Sequence, residues 1–106
     1  LPGPVQDTFG TLLLDVQYGE TPESAKPLKG FGGAGVLEIV EDHDGDTYRS
    51  VYTVNFRDAV YVLHVFQKKS TRGIATPKRD LDLVRRRYHS AERHHAALKQ
   101  QEDRHA

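Results

Sequence analysis

Residue types that can do chemistry stand close together near the end of an apolar segment. His64 lies inside the sequence VYVLHVF (60–66), and Lys68 and Lys69 follow almost at once. An imidazole can move a proton near neutral pH, and ammonium groups bind anions. A buried strand would hold such groups rigidly, as a catalytic or anion-binding site requires. The same pattern also fits a hydrogen-bonded core histidine followed by a solvated pair of lysines.

A second candidate is Arg49, which lies between Tyr48 and Ser50 in another strand-like segment. An unpaired guanidinium is costly to bury, so Arg49 must face a partner or a ligand. Its planar fork suits phosphate oxygens. A structural ion pair with Glu38 on the neighbouring strand has equal weight, and both interpretations hold if Glu38 orients Arg49.

Composition limits the class of protein. The 106 residues are enough for one domain, and 28% charged with 37% hydrophobic residues is ordinary for a globular chain. There is no cysteine, so neither a disulfide framework nor a thiol nucleophile is available. The apolar runs are strand-sized and the N-terminus lacks signal-peptide features, which predicts no membrane association and a cytoplasmic location.

The charges are unevenly distributed along the chain. Residues 1–65 carry four basic and ten acidic residues, a net charge of −6, whereas residues 66–106 carry eleven basic and five acidic ones, a net charge of +6. A basic C-terminal third could bind phosphates. The alternative is that Arg85, Arg86, Arg87 and Arg93 only solvate a helix.

Hydrophobic spacing predicts a helix at each end of the chain. Apolar residues recur every three or four positions from Val5 to Val16, and Gly19 supplies a stop. A second amphipathic helix begins near Pro77, with Thr76 as N-cap, and extends to about Lys99.

Between the helices we expect a linker and an antiparallel meander. The linker, residues 21–35, contains a formal G-x-G-x-x-G, but a strand follows it, so it is not a dinucleotide fingerprint. Strands are predicted at 36–41, 47–55 and 60–66, and Asp44-Gly45 is a hairpin signal between the first two. The third strand is apolar on both faces and is expected to lie centrally with its valines buried.

Several motifs fit one known family. They are VLEI (36–39), YRSVY (48–52), VLHVFQKKS (62–70) and Thr76-Pro77, preceded by the helix and the Gly-rich link. Together they resemble the phage-related HigB branch of the RelE toxin superfamily, roughly over residues 2–92. The resemblance implies a single α+β domain, with a twisted antiparallel meander, an N-terminal helix packed on it and a C-terminal amphipathic helix. Family members commonly begin with a further strand, which this chain, opening at Leu1, is expected to lack.

The resemblance also implies a function. Such proteins are toxins of type II toxin-antitoxin pairs: endoribonucleases, or mRNA interferases, that cut mRNA, typically on the ribosome, without a metal or cofactor. A cognate antitoxin, often a helix-turn-helix protein, silences them. Cleavage by 2′-OH attack on the adjacent phosphate needs a proton acceptor, cations and a proton donor.

The implied site residues follow from the motifs. The catalytic candidates are Arg49, His64, Lys68 and Lys69, with Glu38 supporting Arg49. The candidates for substrate binding are Tyr52 (as a hydroxyl donor or a base-stacking platform), Lys29 and Arg72.

Two alternatives complete the expectations. His94 and His95 are adjacent on the last helix and point about 100° apart, so they cannot share a metal ion, and no metal site is predicted. A non-catalytic RNA- or protein-binding regulator on the same fold is the competing function.

Overall fold

The computed structural model describes residues 1–31, 33, 35–68 and 76–105. The chain divides into two compact units, Leu1–Ala75 and Thr76–Ala106. The first unit holds helix α1 (Gly3–Gln17) and strands β1 (Lys26–Pro27), β2 (Val36–His43), β3 (Asp46–Thr53) and β4 (Val62–Lys68). The second holds helix α2 (Lys78–His105). The predicted α+β class is therefore confirmed.

Helix α1 forms where the periodicity predicts it. Pro2 occupies the N-cap position, and Gly19, at φ +92°, follows the C-terminal end and donates its N–H to the Val16 carbonyl. The spacing of Val5, Phe9 and Val16 places all three on one buried face. That face packs on the sheet, as expected.

The described residues form one antiparallel sheet with strand order β1-β2-β3-β4. Between β2 and β3, Asp44 (φ +49°) and Gly45 (φ +83°) form a two-residue hairpin turn, as the Asp-Gly signal predicts. The hairpin sets a register in which Ile39 pairs with Ser50 and Leu37 with Tyr52. We call the face that carries Leu37, Ile39, Tyr48 and Tyr52 the helix face, because these residues share a core with α1.

Two features of the sheet differ from the prediction. Lys26 and Pro27 pair with Leu37 and Glu38 as a short strand, although the segment 21–35 was expected to be a linker. Strand β4 lies at the edge of the described sheet and not at its centre, and Val62 and Val65 are 48% and 37% exposed. An edge strand lacks a second neighbour to cover its apolar side chains, and a run that is apolar on both faces does not by itself distinguish the two positions.

Helix α2 also confirms its prediction, with longer bounds. Leu81 donates its N–H to the Pro77 carbonyl, so Pro77 and not Thr76 is the N-cap, and the helix begins at Lys78, one residue later than expected. It extends to His105 instead of Lys99. The buried residues Val84, Tyr88 and Ala91 follow the predicted stripe, and Leu98 is 41% exposed. Among the described residues, neither helix is long and apolar enough to cross a membrane.

Gly35, just before β2, allows a test of the close approach between this residue and Asn55. Its φ is +76°, and a Cβ added there would lie 2.6 Å from the Cβ of Asn55. We expect Gly35→Ala to lower the free energy of unfolding by about 2–4 kcal/mol, since it combines an unfavourable φ with a clash. Urea denaturation measures the loss.

Gly33→Ala is the matched control. Its φ is +79°, but a Cβ there meets no described atom within 4 Å. The cost should be about 1–2 kcal/mol, from the backbone alone. Equal losses in the two variants would contradict the close approach of Asn55.

Candidate functional site

Alternation along the strands places the charged candidates on one face of the sheet. Register pairs Lys26 with Glu38, and pairs Val51 with both Glu38 and His64. Directly paired residues point to the same side, and so do residues two apart on one strand. We therefore define the charged face, opposite the helix face, as the side that carries Lys26, Glu38, Arg49, His64, Phe66 and Lys68.

Arg49 lies in the middle of the charged face. It pairs with Val40 on β2 and with Phe66 on β4, so its diagonal neighbours are Glu38 on one side and His64 and Lys68 on the other. Diagonal side chains have Cβ atoms about 7–8 Å apart, within reach of long side chains. Three predicted catalytic residues and their supporting carboxylate thus share one surface.

The predicted pair of Arg49 and Glu38 is present. Nη1 of Arg49 donates to both carboxylate oxygens of Glu38 at 2.8 Å, and the two side chains are 13% and 5% exposed. Nε of Arg49 is buried and has no hydrogen-bond partner in the described part of the chain. A buried donor without a partner costs about 1–3 kcal/mol, so an acceptor arriving at this edge would be stabilised.

Lys68 is the last residue of β4 and is 8% exposed, so it is not the solvated strand exit that the sequence also allowed. Burial lowers the pKa of its ammonium group, the positive charges of Arg49 and Lys26 lower it further, and Glu38 opposes them. These effects place Lys68 in the electrostatic field of the Arg49 pair. A less basic amine near other cations suits both anion binding and proton transfer.

His64 is half-buried and stacks on Phe66. The ring centroids are 4.6 Å apart and the planes differ by 16°. Residues two apart on a strand are separated by about 6.6 Å, so the two rings lean toward each other along β4. Because Phe66 pairs with Arg49, the imidazole leans along β4 in the direction of Arg49. Phe66 is thus a site residue that the sequence analysis missed, although alternation from His64 would have placed it on the same face.

Lys26 is the second residue that the sequence analysis missed. Its Nζ lies 3.6 Å from Oε1 of Glu38, and its side chain is 58% exposed. The short strand β1 carries it to the charged face. A two-residue strand is too short to show periodicity, so the sequence did not place Lys26 in the site.

Tyr52 does not fit its predicted role. It lies on the helix face, is fully buried and packs in the core with α1. Burial also raises the pKa of its phenol. A ring in the core is not a platform for a base, because stacking requires an exposed face. Arg49 and Tyr52 are three residues apart on one strand, and period-2 alternation already places them on opposite faces.

The other predicted substrate contacts are Lys29 and Arg72. Lys29 is exposed in the segment between β1 and β2. Lys69 and Arg72 lie outside the described residues, so their predicted roles stay predictions. Asp42 adds a second carboxylate to the charged face, where it accepts a hydrogen bond from Thr47 at 2.9 Å. Within the described ranges, no three His, Asp or Glu side chains come together in a way that could hold a metal ion.

The first unit is an α+β fold whose antiparallel sheet carries several basic residues on the face opposite the helix face. The chain matches the family model described as Phage derived protein Gp49-like (DUF891) over residues 1–89, and it belongs to that family. This family is associated with RelE-like toxins. No curated protein and no solved structure matches the chain.

The burial of Lys68 generates a stability prediction. At pH 7 the folded protein bears the cost of a desolvated ammonium group, so Lys68→Met should raise the free energy of unfolding. Folding lowers the pKa of Lys68 from 10.5, so the unfavourable contribution of this group to wild-type stability should shrink as the pH rises toward 10.5, and the advantage of the variant should shrink with it.

Urea denaturation at pH 7 and pH 10 tests this expectation. Lys29→Met is the control, because this exposed lysine should change stability by less than about 0.5 kcal/mol. A Lys68→Met protein less stable than wild type at pH 7 would show that the environment favours the charged form.

The Tyr52 hydroxyl generates a second prediction. It is buried without a hydrogen-bond partner among the described residues, so Tyr52→Phe should raise the free energy of unfolding by up to about 1 kcal/mol. The raised pKa of Tyr52 makes wild-type stability fall above pH 10, because the unfolded phenol ionises first; the phenylalanine variant should lose less.

Tyr18→Phe is the matched control, since Tyr18 is 81% exposed. Thermal unfolding between pH 7 and 11 follows both variants. If folded Tyr52→Phe lost RNA affinity, Tyr52 would have a role in substrate binding after all.

Proposed function

We propose that this protein is the toxin of a type II toxin-antitoxin pair, in the HigB-like branch of the RelE superfamily. It is an endoribonuclease that cleaves mRNA, on the ribosome, without a metal. The ribose 2′-OH attacks the adjacent phosphate, which forms a 2′,3′-cyclic phosphate and releases a 5′-hydroxyl end. Membership of a family associated with RelE-like toxins supports the class.

One observation carries the catalytic part of the proposal. Arg49 lies between His64 and Lys68 on the charged face, diagonal to each across β3 and β4. In-line attack needs a proton acceptor on one side of the phosphate, a proton donor on the other side and a cation at its equatorial oxygens. The order imidazole, guanidinium, ammonium matches these three requirements.

The roles follow from the chemistry of each group. Arg49 stabilises the charge on the phosphorane through its donors that face away from Glu38, whose carboxylate fixes the guanidinium. His64 and Lys68 carry the protons, with the imidazole held by its stack on Phe66. Flanking phosphates are bound by Lys69, Arg72 and Lys29. These three roles rest on the resemblance to the family.

The partners belong to the same proposal. A toxin of this class acts in the cytoplasm on translated mRNA and needs a cognate antitoxin, here a helix-turn-helix protein, to silence it. The family match supports this assignment through the RelE-like toxins with which the family is associated.

A non-catalytic RNA- or protein-binding regulator is the second candidate. Its support is the burial of the Arg49–Glu38 pair, which is typical of a structural ion pair as well as of an oriented catalytic group. The two functions differ in what happens to RNA. Only a nuclease produces new 5′-hydroxyl ends.

Arg49→Ala and Lys68→Ala should each reduce cleavage by about 10²–10³-fold, since each removes a group that stabilises the transition state. Arg57→Ala is the matched control, because Arg57 is a 91% exposed arginine in the link between β3 and β4. Mapping of 5′-hydroxyl ends after induction, together with growth arrest, measures the effect.

Circular dichroism of each variant separates lost chemistry from lost fold. Growth arrest by wild type without new 5′-hydroxyl ends would contradict the nuclease function and favour the non-catalytic regulator. Full cleavage by folded Arg49→Ala would remove Arg49 from the mechanism.

A further inference from the structure

Lys26 is the most exposed of the three cations around Glu38. Its side chain is 58% exposed, whereas the side chain of Arg49 is 13% exposed and Lys68 is 8% exposed. An incoming anion therefore reaches Lys26 first. Sequence reasoning gave this residue no role, because it stands in a segment expected to be a linker.

The contact of Lys26 with Glu38 leaves its donors available. The Nζ–Oε1 distance of 3.6 Å is too long for a hydrogen bond, whereas both Glu38 oxygens accept from Arg49 at 2.8 Å. Arg49 thus satisfies Glu38, and Lys26 is only its Coulombic neighbour.

The cations form a diagonal row across the sheet. Lys26 lies on β1, Arg49 on β3 and Lys68 on β4. Three inter-strand steps separate β1 from β4, a distance of about 14 Å between backbones. The charged ends of Lys26 and Arg49 both approach Oε1 of Glu38, at 3.6 and 2.8 Å, so the backbone spacing alone does not separate their ligands. Burial does: Arg49 and Lys68 are held inside the face, whereas the exposed, flexible side chain of Lys26 can turn outward to the next phosphate of a nucleotide chain that crosses the strands.

We infer that Lys26 binds a backbone phosphate of single-stranded RNA, different from the phosphate held by Arg49 and Lys68. This inference rests on the proposed function and extends the substrate site to strand β1. The contact is sequence-independent, since it involves a phosphate and not a base edge. It adds affinity and positions the strand, and it takes no part in proton transfer.

Counterion release measures such contacts one at a time. For single strands, each neutralised phosphate contributes about 0.7 to the slope of log K against log salt concentration. Lys26→Gln should lower the slope by about 0.7, and Lys26→Arg, which keeps the charge, should restore it. The double variant Lys26→Gln/Lys68→Gln should lose about 1.4, because the two lysines contact different phosphates.

The probe is a fluorescein-labelled single-stranded RNA of mixed sequence with all 2′-hydroxyls methylated, so that it binds without being cleaved. Fluorescence anisotropy at several salt concentrations gives the slopes. Arg57→Ala is the control and should leave the slope unchanged, since it removes an exposed cation outside the charged face. Thermal unfolding shows that each variant is folded.

The outcomes separate this inference from the proposed function. An unchanged slope in folded Lys26→Gln overturns the contact even where wild type binds and cleaves RNA. A double variant that loses no more than Lys68→Gln alone places both lysines on one phosphate and also overturns it. Reduced slopes without any 5′-hydroxyl products from wild type would leave the phosphate contact and remove the nuclease.

Discussion

The charged face depends on the register of the β2–β3 hairpin. The turn at Asp44-Gly45 fixes which residues of the two strands meet, and thereby sets Glu38 diagonal to Arg49. A slip of one residue would turn Arg49 toward the helix face, where α1 packs, and would leave a guanidinium among apolar side chains. The ion pair therefore helps to specify the register, and the register places His64, Phe66 and Lys68 beside Arg49 through β4. A local turn and one diagonal contact together organise the whole candidate site.

The two faces of the sheet have different roles: the helix face stabilises the fold, and the charged face holds the candidate site. The helix face buries Val5, Phe9, Ile39 and their neighbours, and each fully buried side chain of this size stabilises the fold by about 1.5–3 kcal/mol. The charged face holds a buried ion pair, an Nε of Arg49 that has no hydrogen-bond partner among the described residues, and a desolvated Lys68, none of which is a strong source of stability. Polar groups held at a cost on a rigid scaffold are typical of a site that binds a ligand.

The sequence predicted those parts of the fold that local rules determine. Helix α1, the hairpin turn and the Arg49–Glu38 pair follow from periodicity, Asp-Gly chemistry and the cost of burying a charge. Strand β1 could not be predicted, since Lys26-Pro27 is too short to show alternation. The edge position of β4 depends on which strands neighbour it, and its apolar run contains no such information. The role of Tyr52 was different: alternation from Arg49 places it on the opposite face, so the residues themselves argued against a shared site.

The burial of the cations bears on which chemistry the face can support. A protein that only attracts polyanions benefits from exposed charge, and a net charge of +0 gives little long-range steering. Arg49 and Lys68 are largely removed from water instead. In such surroundings a fixed positive charge interacts more strongly with charge that develops next to it, because the effective dielectric constant is low and no solvent must reorganise. Two desolvated cations around one position suit the stabilisation of a single phosphorane, while the exposed Lys26 suits the capture of the strand that carries it.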